Sequence, residues 1–446
     1  MRSFFLFTLL FATIHLAAQP SLSWSTDSTT ALPGPGNVRL AEVHLTVPQQ
    51  GIERIRVTAH LDVQDGEAYL FFYGSTPRNQ YLSYKESERV SSADSTDVIL
   101  RIEGLASADM DSIVVGVAFY GKGAAFLQPP SVHVESIAPG TPNDYVTRYL
   151  SDFFGYAKEY ALDRDSMDWA TLERDAKDLA ALADTMPQVY EALNFTLRRI
   201  DRHSFLRPPR EHQGWAKGNN DEDAVDPNLK YPSGRRVEDQ MVYLHVPGVS
   251  SGHAKTLDAY ADSLRNLIAT LDGPRVEEWV VDLRSNTGGN CWPMLSGIGP
   301  LLGPGVCGYF MQRDGSGASA WSYREGGSYL DEKVLHQVEK PYTTINPARV
   351  AVLYGPKTAS SAEVLAIAFR GLPNTRSFGR PTSGYSTGNQ TIRLSDGAAI
   401  LITASVYGDR HKTAYGAAVQ PDVLVAPTSG VDAASEVAAT WLRKGR

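Results

Sequence analysis

One stretch in the last third of the chain combines a strand, a turn and a helix. Residues 350–353 form a continuous apolar run typical of a buried strand, which Gly355 ends. Small residues then lead to Ser360 at the start of an apolar helix that Gly371 ends. A serine at this point lies beside unpaired N–H groups at the positive end of the helix dipole. The stretch therefore predicts an α/β fold, with Ser360 either an N-cap residue or a nucleophile.

The periodicity of the chain changes along its length, and this predicts a multidomain fold. Residues 20–138 alternate apolar and polar residues between turn clusters, which is typical of an all-β sandwich. Residues 143–206 have helical spacing and predict a small helical bundle. Residues 207–237 are polar and aperiodic, and we expect them to form an exposed loop. Residues 238–446 alternate strand-like and helix-like runs, as an α/β domain does.

Composition and charge exclude one class of function, and the first residues of the chain predict its location. With 42% hydrophobic residues, a formal net charge of −8 and no block of Lys or Arg, the chain is not a general nucleic-acid binder. Residues 1–18 have the basic start, apolar run and small-residue end of a signal peptide. We therefore expect an exported protein, periplasmic or extracellular, without stable membrane insertion after cleavage. A membrane anchor is the alternative.

Two cysteines, Cys291 and Cys307, occur in the whole chain. Two cysteines do not make a metal site, and we expect neither a metal nor an organic cofactor. Export makes a disulfide between them chemically allowed, and two buried free thiols are the alternative, because the sequence does not set their distance.

A second stretch supplies backbone donors for an oxyanion. An apolar run at residues 279–283 leads into the turn Asn286-Thr-Gly-Gly289. Paired glycines let a backbone approach a ligand closely and point N–H groups at it. If Ser360 is the nucleophile, the Ser361 amide is also in place to donate, and the Ser361 hydroxyl is the local competitor for the nucleophile's role.

A serine nucleophile needs a base, and three of the ten histidines are candidates. His203 ends a predicted helix, where a partner of the helix dipole is the alternative role. His411 lies in a polar turn after a strand-like run, and His245 falls within a strand pattern typical of a core or surface histidine.

From about residue 145 to the C-terminus, the chain resembles the C-terminal processing (tail-specific) serine protease family. The matching pieces occur in the family's order: Asp201-Arg-His-Ser204, Val281-Asp-Leu-Arg-Ser-Asn-Thr-Gly-Gly289, Thr358-Ala-Ser-Ser-Ala-Glu363, Phe378-Gly-Arg-Pro-Thr-Ser-Gly384, Leu394-Ser-Asp-Gly397 and Gln420-Pro-Asp422. The resemblance implies a crotonase-like α/β protease core and a polypeptide substrate. It also implies that the nucleophile is the serine three residues before the glutamate, Ser360, and that Gly288 donates to the oxyanion with Ser361.

The chain departs from the family's serine–lysine branch. The family lysine follows the Pro-Thr-x-Gly turn, and Tyr385 occupies that position, while Lys357 precedes the serine and does not match. The resemblance is therefore closer to the tricorn-core branch, and it implies that His203 is the base. Asp409 is the nearest carboxylate for a third catalytic member, with a surface turn aspartate as the alternative. The family's peptide-binding PDZ module has no counterpart that we can identify in the sequence.

The sequence thus predicts an exported serine endopeptidase that forms an acyl-enzyme on Ser360, with His203 as general base. Two alternatives stay open: a catalytically inactive peptide- or ligand-binding homologue on the same fold, and an esterase-type acyl hydrolase. The N-terminal β domain is expected to bind a glycan or a protein, or to act as a spacer.

Overall fold

The computed structural model describes residues 38–76, 81–91, 98–127, 131–217 and 224–444. They belong to two compact units, Met1–Ala138 and Pro139–Arg446. The predicted signal peptide, residues 1–18, lies outside the described residues. Within the described ranges, none of the helices combines the length and the apolar character that crossing a bilayer requires.

Antiparallel pairing joins the described strands of the first unit. They are β1 (Val38–Leu45), β2 (Ile52–Ser75), β3 (Tyr81–Glu86), β4 (Val90–Ser91), β5 (Val98–Ser107), β6 (Ser112–Leu127) and β7 (Ser131–Ser136). The 24-residue β2 is central: its first half pairs with β5 and β7, and its second half pairs with β3, β4 and β6. Ile55, Val57 and Ala59 on β2 are buried, as their alternation with polar residues predicts.

The second unit is a mixed α/β structure. In chain order it contains α1 (Asp144–Tyr160), α2 (Trp169–Ala181), α3 (Met186–Ile200), β8 (Phe205–Arg207), α4 (Pro209–Lys217), β9 (Ser233–Arg236), β10 (Met241–His245), α5 (Ala254–Leu271), β11 (Glu278–Asp282), α6 (Cys291–Leu302), β12 (Gly305–Met311), β13 (Ser319–Arg324), β14 (Gly327–Leu330), β15 (Lys333–Gln337), β16 (Arg349–Tyr354), α7 (Ser361–Ala368), β17 (Thr375–Gly379), β18 (Thr387–Arg393), β19 (Ala399–Asp409), β20 (Val423–Leu424) and α8 (Ala433–Arg443).

A mostly parallel sheet forms the centre of this unit, in the order β20-β17-β16-β11-β10-β9, with β9 antiparallel at one edge. Along β16, Val350 and Val352 pack in a core with α5, α6 and α7, whereas Ala351 and Leu353 pack with α8. Helices thus cover both faces, which explains why the strands are continuous apolar runs. The carboxyl ends of the adjacent strands β11 and β16 lie at the same edge of this sheet.

A second sheet, entirely antiparallel, has the order β15-β14-β13-β12-β19-β18, and β8 pairs with β19. The helices α1, α2 and α3 pack against it, because their buried faces share a core with Ile400 and Ile402 of β19. A capping box formed by Thr185 and Gln188 begins α3. This packing holds the end of α3 beside β18 and β19.

The structure differs from the predicted loop at residues 207–237. That segment contains the end of β8, the helix α4 and the edge strand β9. Proline suits the first position of a helix, so Pro209 can begin α4, and Gly252 N–H binds the Trp215 carbonyl near its end at 2.8 Å. These elements span three to nine residues, which is too short for a clear periodic signal in the sequence.

Candidate active site

Ser360 lies in a strained turn between β16 and α7. Its φ of +53° is rare for a residue with a side chain, and such strain persists only where the surroundings enforce it. The Ser360 N–H donates to Glu363 Oε2 at 2.9 Å, as one half of a capping box does. The turn before it is tied to the neighbouring strand because Ala359 N–H donates to the Asn286 carbonyl at 3.2 Å.

Glu363 links this turn to a second loop. Its carboxylate is fully buried, and Oε1 accepts hydrogen bonds from the Thr382 hydroxyl at 2.5 Å and the Gly384 N–H at 3.1 Å. Burial raises the pKa of Glu363 to about 7, against the opposing effect of the hydrogen bonds that it accepts. The Ser-x-x-Glu spacing of Ser360 and Glu363 is a capping signature that the sequence itself contains.

Two residues that line a cavity with Ser360, namely Ser361 and Gly289, have backbone N–H groups of interest. Among the described residues, neither the Ser361 amide nor the Gly289 amide makes a hydrogen bond. The predicted donor, Gly288, instead gives its N–H to Asn286 Oδ1 at 2.9 Å. Gly288 is buried with φ of +100°, and a Cβ there would lie 3.0 Å from Ser360 Cβ, so only glycine fits against the serine. Gly289 is exposed at the same turn and lines the cavity beside Ser360.

The turn after α3 carries His203 and is fixed to the antiparallel sheet. Asp201 Oδ1 accepts the His203 N–H at 2.8 Å and the Thr403 hydroxyl at 2.6 Å. Asn389 Nδ2 donates to the His203 carbonyl at 2.9 Å. These contacts from β18 and β19 hold the backbone of His203 in place.

The imidazole of His203 is oriented by Thr387. His203 Nδ1 lies 2.8 Å from Thr387 Oγ1. The Thr387 hydroxyl can accept a hydrogen bond from Nδ1–H, and in that tautomer Nε2 keeps its lone pair. The pKa of His203 is lowered to about 4, mainly by burial, with Asp201 opposing the shift and Arg202 adding to it. The ring is therefore neutral near pH 7 and able to accept a proton.

His203 and Ser360 line one cavity of about 740 Å³, together with Ser361, Gly289 and Tyr407. The Tyr407 hydroxyl contacts the Ser360 side chain as a hydrogen-bonding partner. Burial raises the pKa of Tyr407 well above its usual value, so the phenol stays protonated. Tyr407 was absent from the predicted site because it belongs to β19, and its position in the strand gives no local signal of a role.

The other candidate carboxylate, Asp409, serves its own turn. Its Oδ1 accepts the N–H groups of His411 and Thr413, each at 2.9 Å, and its Oδ2 accepts the Tyr415 hydroxyl at 3.3 Å. The structure gives Asp409 no hydrogen bond to His203, which is bound by Thr387 instead. These hydrogen bonds are those of an aspartate that stabilises its own turn, and a turn aspartate was the alternative to a catalytic role.

Two other residues singled out in the sequence, His245 and Lys357, are not among the described residues that line the cavity of Ser360, whereas Cys291 is. His245 Nε2 binds Ser285 Oγ at 2.6 Å, and Lys357 lines a different cavity of about 380 Å³. Cys291 and Cys307 are both buried free thiols. Tyr385, at the position of the family's lysine, packs its ring against His203 with centroids 5.0 Å apart.

Parts of the chain are similar in sequence to known proteins. The family model for peptidase family S41 matches residues 240–425. The chain is 25% identical over 296 residues to the nisin-resistance protein of Lactococcus lactis subsp. lactis, covering 64% of this chain and 84% of that protein. It is 29% identical over 147 residues to the chloroplastic carboxyl-terminal-processing peptidase 2 of Arabidopsis thaliana, covering 33% of this chain and 25% of that peptidase.

Among solved structures, a lipoprotein from Streptococcus agalactiae has a similar fold. The TM-score is 0.54 at 21% sequence identity, and the alignment covers 70% of this chain and 99% of that protein. At this identity the likeness concerns the fold alone.

Proposed function

We propose that this chain, a serine-type peptidase whose residues 240–425 form a peptidase family S41 domain, cleaves peptide bonds through an acyl-enzyme on Ser360 with His203 as the base. The observation that carries the proposal is the shared cavity, where Ser360 and a neutral, oriented His203 meet the same solvent space. This is the serine–histidine arrangement rather than a serine–lysine pair, because Tyr385 replaces the lysine.

In the proposed reaction, Ser360 Oγ attacks the substrate carbonyl while His203 Nε2 accepts its proton. The carbonyl oxygen becomes an oxyanion that the amides of Ser361 and Gly289 stabilise, since both residues line the cavity and neither amide makes a hydrogen bond among the described residues. Gly288 would act as a donor only after releasing Asn286, so its contribution is to give the backbone room beside Ser360. His203 then protonates the leaving amine, and water hydrolyses the acyl-enzyme.

Thr387 takes the place that a carboxylate has in a Ser-His-Asp triad. Its contact fixes the direction of the ring, as an aspartate does, without adding a negative charge. We assign Asp409 no catalytic role, in keeping with its bonds to its own turn. Deprotonation of Ser360 would then rely on the neutral state of His203 that burial favours.

We further propose the layout around this core. The helix-covered parallel sheet supports a crotonase-like arrangement, and the two differently paired halves of β2 support a β-sandwich in the N-terminal unit. The amino-terminal residues 1–18 and the nisin-resistance relative support an exported peptidase without a PDZ module. Nisin is for the same reason a substrate to test, and the N-terminal unit is a candidate for binding a glycan or protein.

The test compares wild type with Ser360→Ala and His203→Ala on an unfolded protein and on a fluorophosphonate serine probe. We expect cleavage and labelling in wild type, loss of both in Ser360→Ala, and a roughly 100- to 10,000-fold slower rate in His203→Ala. His245→Ala is the matched control, because His245 lies outside the cavity, and it should behave as wild type.

Peptide mapping of the labelled protein should place the probe on Ser360 rather than on Ser361. Labelling together with ester hydrolysis but no peptide cleavage would favour an esterase, and neither labelling nor cleavage would favour a binding protein. Either result would refute the proposed peptidase reaction.

A further inference from the structure

Arg207 is the charged residue that enters the catalytic cavity from β8. This strand follows His203 directly, and its side chains alternate: Leu206 is buried in the core with α1 to α3, whereas Phe205 and Arg207 line the cavity. Ser360 and His203 line the same cavity. The guanidinium therefore shares the solvent space in which a substrate must lie.

The Arg207 guanidinium is stacked on two aromatic rings. Its central carbon lies 4.7 Å from the Trp215 ring centroid and 5.7 Å from that of Phe205. Its Nη1 is buried and, among the described residues, makes no hydrogen bond. Burial also lowers the pKa of Arg207. A buried donor on a permanently charged group is costly to leave unmet, so the site is built to receive an acceptor.

The charges around Arg207 favour an anion. Glu211 is the carboxylate that acts on it electrostatically, but Glu211 is exposed and forms no ion pair with it. His212, which stacks on Trp215, is acted on by the positive charges of both Arg207 and Arg393, and its buried Nδ1 likewise lacks a partner among the described residues. The His212 side chain therefore lies in a positively charged environment.

The described residues of the cavity wall contribute no negative charge. None of the described residues that line it is an aspartate or glutamate. Much of the wall is apolar or aromatic, with Trp292, Phe310, Leu335 and Leu401 among its members. A substrate entering this space therefore finds apolar surface and one unmatched positive group.

We propose that Arg207 binds a carboxylate of the polypeptide substrate and so selects where the chain is cut, an inference that rests on the proposed peptidase function. A guanidinium presents a planar fork of donors that matches a carboxylate. Arg207 lies four positions after His203, and four positions span at most about 14 Å of extended chain. The bound carboxylate accordingly lies within about four residues of the scissile bond, as an acidic side chain or as the free C-terminus.

The test uses quenched fluorescent peptides built on a sequence that wild type cleaves in an unfolded protein. One series places Glu or its uncharged isostere Gln at each of four positions on either side of the cleaved bond. A second series compares a free C-terminal carboxylate with a C-terminal amide. The ratio of kcat/KM between charged and uncharged members is measured for wild type, Arg207→Gln, Arg207→Lys and a surface control, Arg376→Gln.

We expect wild type to prefer the carboxylate by roughly 10- to 100-fold at one position, the strength of a charge-assisted hydrogen bond. Arg207→Gln should bring that ratio close to one, Arg207→Lys should retain part of it, and Arg376→Gln should retain all of it. The series that shows the preference identifies the source as side chain or C-terminus. A ratio near one throughout in wild type, or one unchanged in Arg207→Gln, would overturn the proposal.

Binding provides a readout that does not depend on turnover. Fluorescence anisotropy of a labelled peptide acid and its amide is measured on Ser360→Ala with and without Arg207→Gln. Tighter binding of the acid that Arg207→Gln abolishes supports the carboxylate site even if wild type cleaves no peptide, in which case only the peptidase proposal fails. Equal affinity for acid and amide on Ser360→Ala would count against the site.

Discussion

We expect Glu363 to couple the conformation of the turn at Ser360 to pH, and the variant Glu363→Gln tests this coupling. In the ionised carboxylate, Oε2 accepts the Ser360 N–H while Oε1 accepts from Thr382 and Gly384. A protonated carboxyl loses acceptor capacity on one oxygen, and the cheapest choice is Oε2, which has a single partner. Glutamine has one carbonyl oxygen and an NH2 group, so it reproduces this state permanently.

The magnitude follows from the one hydrogen bond that is lost. A half-buried Ser360 N–H without an acceptor costs about 1–3 kcal/mol, and the strained φ of +53° loses the contact that enforces it. If this cost falls on the transition state, kcat/KM decreases roughly 5- to 150-fold. Because the pKa of Glu363 is raised to about 7, wild-type activity should rise as pH increases through about 7.

Stability should change in the opposite direction. The pKa of Glu363 is raised from 4.5 to about 7 in the folded protein, so its contribution is fully present below pH 4.5 and is lost as pH rises through about 7. The difference amounts to about 3 kcal/mol at most. Wild type should therefore become easier to unfold by urea between these pH values, while Glu363→Gln should show no such step.

The assay combines pH profiles of kcat/KM, initial rates of fluorophosphonate labelling and urea unfolding for wild type, Glu363→Gln and an exposed control, Glu277→Gln. Glu363→Gln should match the low-pH activity of wild type at every pH, and the control should follow wild type. If Glu363→Gln instead labels at the wild-type rate at pH 8, or keeps the step near pH 7, Glu363 does not govern the serine turn.

Three further predictions concern the groups around Ser360. In the Glu363→Gln background, activity should fall through about pH 4 as His203 becomes protonated; a fall near 6.5 would show that burial does not depress its pKa. Tyr407→Phe removes the hydroxyl that contacts Ser360 and should lower kcat roughly 3- to 10-fold with little change in KM, whereas an unchanged labelling rate would exclude a role for that hydroxyl. Asp409→Asn should destabilise the protein by about 1–2 kcal/mol in urea unfolding and leave kcat within about threefold of wild type, while a loss near 10,000-fold would restore Asp409 as the third catalytic member.

Local patterns in the sequence located the scaffold of the site well. The apolar run at 279–283 became most of β11, and the apolar run at 350–353 became the centre of β16. Such elements are predictable because burial of one face imposes a repeat on neighbouring residues. The elements β8, α4 and β9 were not predicted, because they are too short to impose such a repeat on the sequence.

The contacts that complete the site depend on distant pairing and have no local signal. Thr387 meets His203 across 184 positions, and Tyr407 reaches Ser360 from a strand of the other sheet. The capture of the Gly288 amide by Asn286 is a matter of turn geometry that an Asn-Thr-Gly-Gly sequence does not specify. Sequence therefore proposed the nucleophile and base from a family resemblance, while the partners that orient them required the folded chain.

The strand β8 lies before the range that the family model matches, although it contributes to the proposed site. The matched range begins at residue 240, but His203 and Arg207 precede it, and β8 covers the edge of β19 at its first residues. A fragment limited to residues 240–425 would keep Ser360 and lose the proposed base, the proposed anion-binding arginine and the strand that pairs with β19. If these roles hold, recombination or gene fission at the boundary of the matched range would yield an inactive product with an exposed strand edge. Exchange of active modules between such proteins must carry the helices α1 to α3 and β8 along with the domain.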